Sequence, residues 1–126
     1  MFRTAVIEDL KDLLSIESDC WSPALRATED TIRNRILTYP EGQFIAEVNG
    51  KVCGVLYTQR IDDVECMISA GFGSQQQHHV ATGRYAQLLA INVRPGTVTH
   101  MRAYIHTYNH INCNCNASII FINQTH

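Results

Sequence analysis

Acidic side chains stop about halfway along this sequence. All twelve Asp and Glu residues lie between Glu8 and Glu65. Beyond Pro95 the only Lys or Arg is Arg102, while asparagine occurs five times in the last 18 residues. Such a shift in composition marks a boundary or an acquired segment. A basic excess is also missing: the formal net charge of −2 gives no positive field to gather nucleic acid or an anionic membrane. No apolar run approaches the roughly 18 residues that a membrane span needs. The start, MFRTAVIEDLKDLL, is too acidic for a signal peptide. With 45% of its 126 residues hydrophobic, the chain suits one compact domain with a real core.

Cysteine shows no disulfide pattern. The five thiols, Cys20, Cys53, Cys66, Cys113 and Cys115, are odd in number and scattered, which argues for a reducing compartment and a cytoplasmic protein. The tight cluster HTYNHINCNC sets His106 and His110 one helical turn apart before two thiols, yet C-x-C after H-x3-H fits no closed zinc site. It reads as a polar, asparagine-rich tail, and no metal is expected.

What remains is well patterned. FRTAV reads as a short strand and IEDLKDLLSIESDCW as a helix capped by Asp9, with Leu10, Leu13 and Leu14 at helical spacing. Pro23 breaks it. Thr28 caps a second helix with Glu29 and Asp30 in its first turn and Ile32, Ile36 and Tyr39 as its inner stripe; Pro40 and Gly42 end it. GQFIAEVNGKVCGVLYTQRI is two strand-like runs around Asn49-Gly50, the preferred pair for a two-residue hairpin turn. A meander continues through VECMISAGFG and the polar link SQQQHHVATG to the strand YAQLLAINV. Gly71-Phe72-Gly73 is followed by no helix and reads as a flexible connection. The order predicts an α+β fold, a mixed and mostly antiparallel sheet with flanking helices.

Strand FRTAV, two helices, the FIAEVNGKVCGVLYTQRI hairpin and LLAINVRP, in that order, resemble the GNAT superfamily of acyl-CoA-dependent N-acyltransferases. The likeness covers residues 1–95, about three quarters of the chain. A narrower likeness lies in CWSPALRATEDTIRNRILTYPEGQF and GVLYTQRI, which look like GNAT-like domains in loading regions of modular polyketide synthases. The resemblance implies acetyl-CoA or another acyl-CoA as co-substrate. It further implies a strand LLAINV that splays from its neighbour, so that backbone groups of Ile91, Asn92 and Val93 bond the pantetheine arm. The loop that follows in the family, Q/R-x-x-G-x-G/A, wraps the pyrophosphate. Here its positions fall on Val98 to Ala103, and only Ala103 fits. Thr97, Thr99 and Arg102 are the replacement donors on offer.

Residues 96–126 have two readings. In one they are a diverged continuation, with Thr99 capping a helix that carries Met101, Tyr104, Ile105 and Tyr108 on one face, before a strand SIIFI. In the other they are unrelated sequence, from a shifted frame or a retained intron. Either way the GNAT-like fold is expected to be truncated or diverged at its C-terminal side.

Acyl transfer needs donors for a developing oxyanion and a base for the attacking group. Asn92 and Thr58 are the catalytic candidates; Asn92 alternates with Ile91 and Val93, and either reaches the acyl centre or faces solvent. Gln87 is a further polar residue on the same strand. Tyr57 adjoins Thr58. His78 and His79, in a Gln-rich link, read as surface residues, and Trp21 as a core anchor or, with Arg26, the wall of an acceptor groove. The tyrosine acid of many family members has no counterpart, since Tyr104 and Tyr108 come too early. The expected function is transfer of an acetyl or other short acyl group to an amine or an acyl carrier protein thiol. The alternatives are a polyketide-type decarboxylase/S-acyltransferase and a non-catalytic remnant that binds a partner or forms a homodimer through the LLAINV edge. No nucleic acid or membrane partner is expected.

Overall fold

The computed structural model describes residues 1–63 and 79–95, together with the backbone of 118–120. Strand β1 (Phe2–Thr4) leads through a 3-10 turn at Ile7–Asp9 into helix α1 (Leu10–Cys20). Helix α2 (Glu29–Thr38) and a second 3-10 turn (Pro40–Gly42) precede the hairpin of β2 (Gln43–Val48) and β3 (Lys51–Ile61). Strands β4 (Tyr85–Val93) and β5 (Ser118–Ile120) complete a sheet of order β1-β2-β3-β4-β5. The first four strands pair antiparallel; β4 and β5 run parallel.

Local chemistry explains most boundaries. Asn49 and Gly50 adopt φ values of 53° and 77°, the left-handed pair that a two-residue hairpin turn demands. Thr28 accepts a hydrogen bond from the Thr31 N–H at 3.2 Å and caps α2 as expected. Asp9 does something else. The expected single helix from Ile7 opens as a 3-10 turn, and the Asp9 carboxylate turns back to accept from the Val6 N–H at 2.8 Å. Arg3 grips the same carboxylate at 2.7 and 2.8 Å and reaches Glu47 at 2.8 Å, tying β1 to β2. The guanidinium holds Asp9 below the usual carboxylate range.

Both helices cover one face of the sheet. Leu13 and Ile16 of α1, with Ile32 and Ile36 of α2, pack on Ile45, Val55 and Tyr57. Full burial of each such side chain contributes roughly 1.5–3 kcal/mol. Phe44, Ala46, Cys53 and Leu56 form the opposite face with Leu88 and Ile91 against them. Strand β3 is buried without interruption from Val52 to Gln59, because it is central and apolar on both faces.

The expected strand in VECMISAGFG, the link as far as His78 and the Gly71-Phe72-Gly73 connection lie outside the described residues, as does the helix expected after Thr99.

Candidate active site

Two features meet on β4. The parallel register with β5 runs over Tyr85↔Ser118, Ala86↔Ile119 and Gln87↔Ile120. From Leu88 to Val93, no strand pairs with the outer edge of β4 among the described residues. At the same place the ladder to β3 slips: Ala90 faces Tyr57, but Leu88 faces Thr58, which leaves Leu89 as an extra residue. This is a β-bulge, and both Leu89 and Ala90 pack toward the helices while Leu88 and Ile91 face the other way.

The bulge also fixes which backbone groups look outward. The Arg94 N–H donates to the Cys53 carbonyl at 2.8 Å, so by alternation the main chain of Asn92 is turned toward β3. Ile91 and Val93 point theirs away from β3, and the Val93 carbonyl accepts from the Cys20 thiol at 3.3 Å. Of the three backbone positions expected to meet a pantetheine arm, Asn92 is therefore wrongly oriented. Burial pushes the Cys20 thiol above its ordinary pKa, so it stays protonated as a donor.

The Asn92 side chain neither faces solvent nor lines a cleft. It is 1% exposed beneath α1, where Oδ1 accepts from the Trp21 indole N–H at 2.8 Å and Nδ2 donates to Glu17 at 2.9 Å. The other Glu17 oxygen accepts from the Ala27 N–H at 2.9 Å. Trp21 thus anchors the chain between the helices, and Arg26 folds back to the carbonyls of Trp21 and Ser18.

Thr58 is placed differently. It lines a cavity of about 150 Å³ between α2, Tyr39 and Gln43 on either side of the Pro40–Gly42 turn, and the bulged pair β3/β4. Its hydroxyl donates to the Gly42 carbonyl at 2.6 Å, while its backbone N–H and carbonyl are bracketed by the Gln43 side chain at 3.1 and 2.9 Å. Thr31, Asn34, Arg35 and Thr38 of α2 form one wall; Tyr39, Gln59, His79 and Leu89 close the rest. The Arg35 guanidinium lies 4.5 Å from the centroid of the Tyr57 ring. Gln59 donates to Gln87 at 2.6 Å in the floor beside it.

His79 is not the free surface residue expected. Its ring stacks on Tyr39 with centroids 4.8 Å apart, and Nδ1 accepts from the Arg60 N–H at 3.0 Å. Burial and the nearby Arg60 charge lower its pKa, so the ring stays neutral at neutral pH with its proton on Nε2. Burial likewise pushes the Tyr57 phenol upward and keeps it neutral.

Arg35, Gln43 and Gln59 had no role in the sequence reading, and Tyr39 figured there only in the inner stripe of the second helix. A signal was available for two: Gln43 and Gln59 interrupt apolar strands, and buried glutamines in such runs must find partners. Thr97, Thr99 and Arg102 lie outside the described residues, as do His106, His110, Cys113 and Cys115. Among the described residues no group of three or more His, Cys, Asp or Glu converges to hold a metal ion, and no helix is long and apolar enough to cross a membrane.

No family model and no curated protein matches the sequence. Solved structures do match. The loading GNATL domain of CurA from Lyngbya majuscula is 34% identical, with a TM-score of 0.77 over 86% of this chain and 57% of that one. The GphF GNAT-like decarboxylase, solved with isobutyryl-CoA, is 28% identical, with a TM-score of 0.80 over 86% of this chain and 56% of that one. An aminoglycoside antibiotic 6'-N-acetyltransferase from Acinetobacter haemolyticus shares the fold at 14% identity and a TM-score of 0.65, over 98% of this chain and 79% of that one. The chain spans a little over half the length of the first two.

Proposed function

The chain has the GNAT fold, and on that premise we propose that it binds an acyl-CoA along the outer edge of β4. A short acyl group, acetyl or larger, then passes to an amine or a carrier-protein thiol. The observation that carries this reading is the edge without a strand partner among the described residues, from Leu88 to Val93, beside the bulge at Leu89. Outward backbone groups at Ile91 and Val93 can pair with an extended pantetheine chain as they would with a strand. Thr58, on the cavity wall one residue past the bulge, is the side chain nearest to the reacting groups in this reading. Asn92 serves by holding α1 against the sheet. Residues 1–95 form the catalytic frame, and Thr97, Thr99 and Arg102 stand in for the missing glycine loop as phosphate donors.

A second reading is favoured by the 34% and 28% identity to the loading domain and the decarboxylase. In it, a malonyl-type thioester loses carbon dioxide before the acyl group moves to a carrier thiol. Incubation with acetyl-CoA and with malonyl-CoA, each with a test amine and a carrier protein, separates the two. Thiol release and acyl transfer from acetyl-CoA support the first reading; carbon dioxide release from malonyl-CoA supports the second. Concentration-dependent association with no acyl-CoA binding would instead identify a non-catalytic dimerisation module.

A further inference from the structure

The cavity under α2 is already balanced in charge. Its described cation is engaged: the Arg35 guanidinium lies 4.5 Å from the centroid of the Tyr57 ring and stands in the field of the Glu17 carboxylate. The other described walls are neutral: threonines, amides, Leu89, Tyr39 and His79, whose pKa is lowered by burial and by Arg60. No Asp or Glu lines the cavity among the described residues. A ligand charge of either sign would lose its water here without gaining a counter-ion. The occupant that fits is neutral and polar.

Two wall groups have their hydrogen-bonding sense fixed by partners outside the cavity. The Thr58 hydroxyl directs its proton to the Gly42 carbonyl at 2.6 Å, so it meets an occupant as an acceptor. His79 Nδ1 accepts from the Arg60 N–H at 3.0 Å, which puts the ring proton on Nε2 and makes that nitrogen a donor. Gln43 is committed elsewhere: its Nε2 donates to the Tyr39 and Thr58 carbonyls, and its Oε1 accepts from the Thr58 N–H. One donor and one acceptor on different residues match the carbonyl and the N–H of a carboxamide, which offers both on one small planar group.

The dimensions agree. Arg60 pairs with Ala86 of β4 on one side, and on the other its carbonyl accepts from the Val80 N–H at 2.8 Å, so His79 and Val80 continue the line of β2 past Gln43. The cavity therefore reaches from the bulge at Leu89 across β3, two strand spacings or about 10 Å. Its 150 Å³ holds about five water-sized groups at roughly 30 Å³ each. Asn34 and Thr38 are exposed and form its rim.

We infer that this cavity is a binding site for a neutral carboxamide, its carbonyl held by the Nε2–H of His79 and its N–H by the Thr58 hydroxyl oxygen. The inference rests on the acyl-transfer reading only in making that amide part of the acceptor, either in the pantetheine arm of a carrier-protein thiol or in the body of an amine.

Titration of the full chain with propionamide, propionate, propylammonium and butanone, followed by NMR, tests it. The four are close in size and differ in charge and in their donors and acceptors. Propionamide is expected to shift the resonances of His79 and Thr58 and to bind about fivefold more tightly than each of the others, the effect of one hydrogen bond. Thr58→Val removes the acceptor and should bring propionamide down to the level of butanone. His79→Asn keeps an acceptor for the Arg60 N–H, loses the donor, and should weaken propionamide and butanone alike, by about fivefold. A purely structural role for Thr58 predicts that its variant still prefers propionamide to butanone, and that result would overturn the assignment.

Propionate or propylammonium binding to the unaltered chain as tightly as propionamide overturns it as well, whether or not the variants fold. Displacement of propionamide by pantetheine places the amide on a carrier arm, and displacement by glycinamide places it on an amine; displacement by neither overturns its place in the acceptor. Propionamide selectivity without protection of Ile91 and Val93 by acyl-CoA would leave this site standing and remove the proposed function. Protection without selectivity would do the reverse.

Discussion

The indole N–H of Trp21 donates across 2.8 Å to the side-chain oxygen of Asn92, joining two residues 71 positions apart. This bond, with the one from Asn92 to Glu17, makes a residue that alternates toward a presumed cleft into an anchor for α1. Asn92→Ala should lower stability by roughly 2–3 kcal/mol, since it strands the half-buried Trp21 donor and deprives the buried Glu17 carboxylate of one of its two partners. Denaturant unfolding checks this. An unchanged midpoint with lost turnover would return Asn92 to catalysis.

Gly42 is confined by its neighbours. A Cβ there would run into the Tyr39 ring and come within 2.6 Å of the Thr58 hydroxyl. Gly42→Ala should therefore push Tyr39 off His79 and cost about 1–3 kcal/mol. The tyrosine and histidine ring resonances should shift together, and stability should fall with them.

At the hairpin, Gly50 has φ of 77° and open space around its missing side chain. Strain in the backbone, not collision, sets the cost of Gly50→Val at about 1 kcal/mol or more. Gly50→Asn should be better tolerated, because asparagine accepts the left-handed region. Equal unfolding midpoints for the two variants would contradict the turn assignment.

Acid should weaken the fold through His79. Burial and Arg60 lower its pKa below the ordinary value of 6.5, while Glu41 opposes them. Above 6.5 the ring is neutral in folded and unfolded chains alike, so this group imposes no penalty. As pH falls below 6.5, the unfolded chain takes up the proton first, and stability declines until the pH passes through the folded pKa. Comparing urea midpoints from pH 7.5 to 5 with those of His79→Asn isolates this component; an identical pH dependence in the variant would contradict it.

Elements governed by local chemistry were legible in the sequence. Thr28 with its acidic first turn, Asn49-Gly50, and the apolar run YAQLLAINV each specify their own conformation, and the strand bounds match. Asp9 was legible as a residue of the helix start but not as the acceptor of the Val6 N–H, since that depends on Arg3 across the turn. The cavity was not legible. Its walls come from α2, the turn after it, two strands and His79, which only the sheet order brings together. The bulge was hidden too, because QLLAIN contains no glycine to announce it. His79 looked like a surface residue because its neighbours are polar, whereas its burial comes from Tyr39.

The β4 edge decides the account. Amide exchange of the full chain should be measured with and without acetyl-CoA and malonyl-CoA. Protection by at least one of them is predicted at Ile91 and Val93, whose backbone groups face away from β3, with little change at Asn92, whose amide is already turned to β3. Unchanged exchange at Ile91 and Val93 at saturating concentrations of both thioesters would contradict the claim that this edge is an acyl-CoA site.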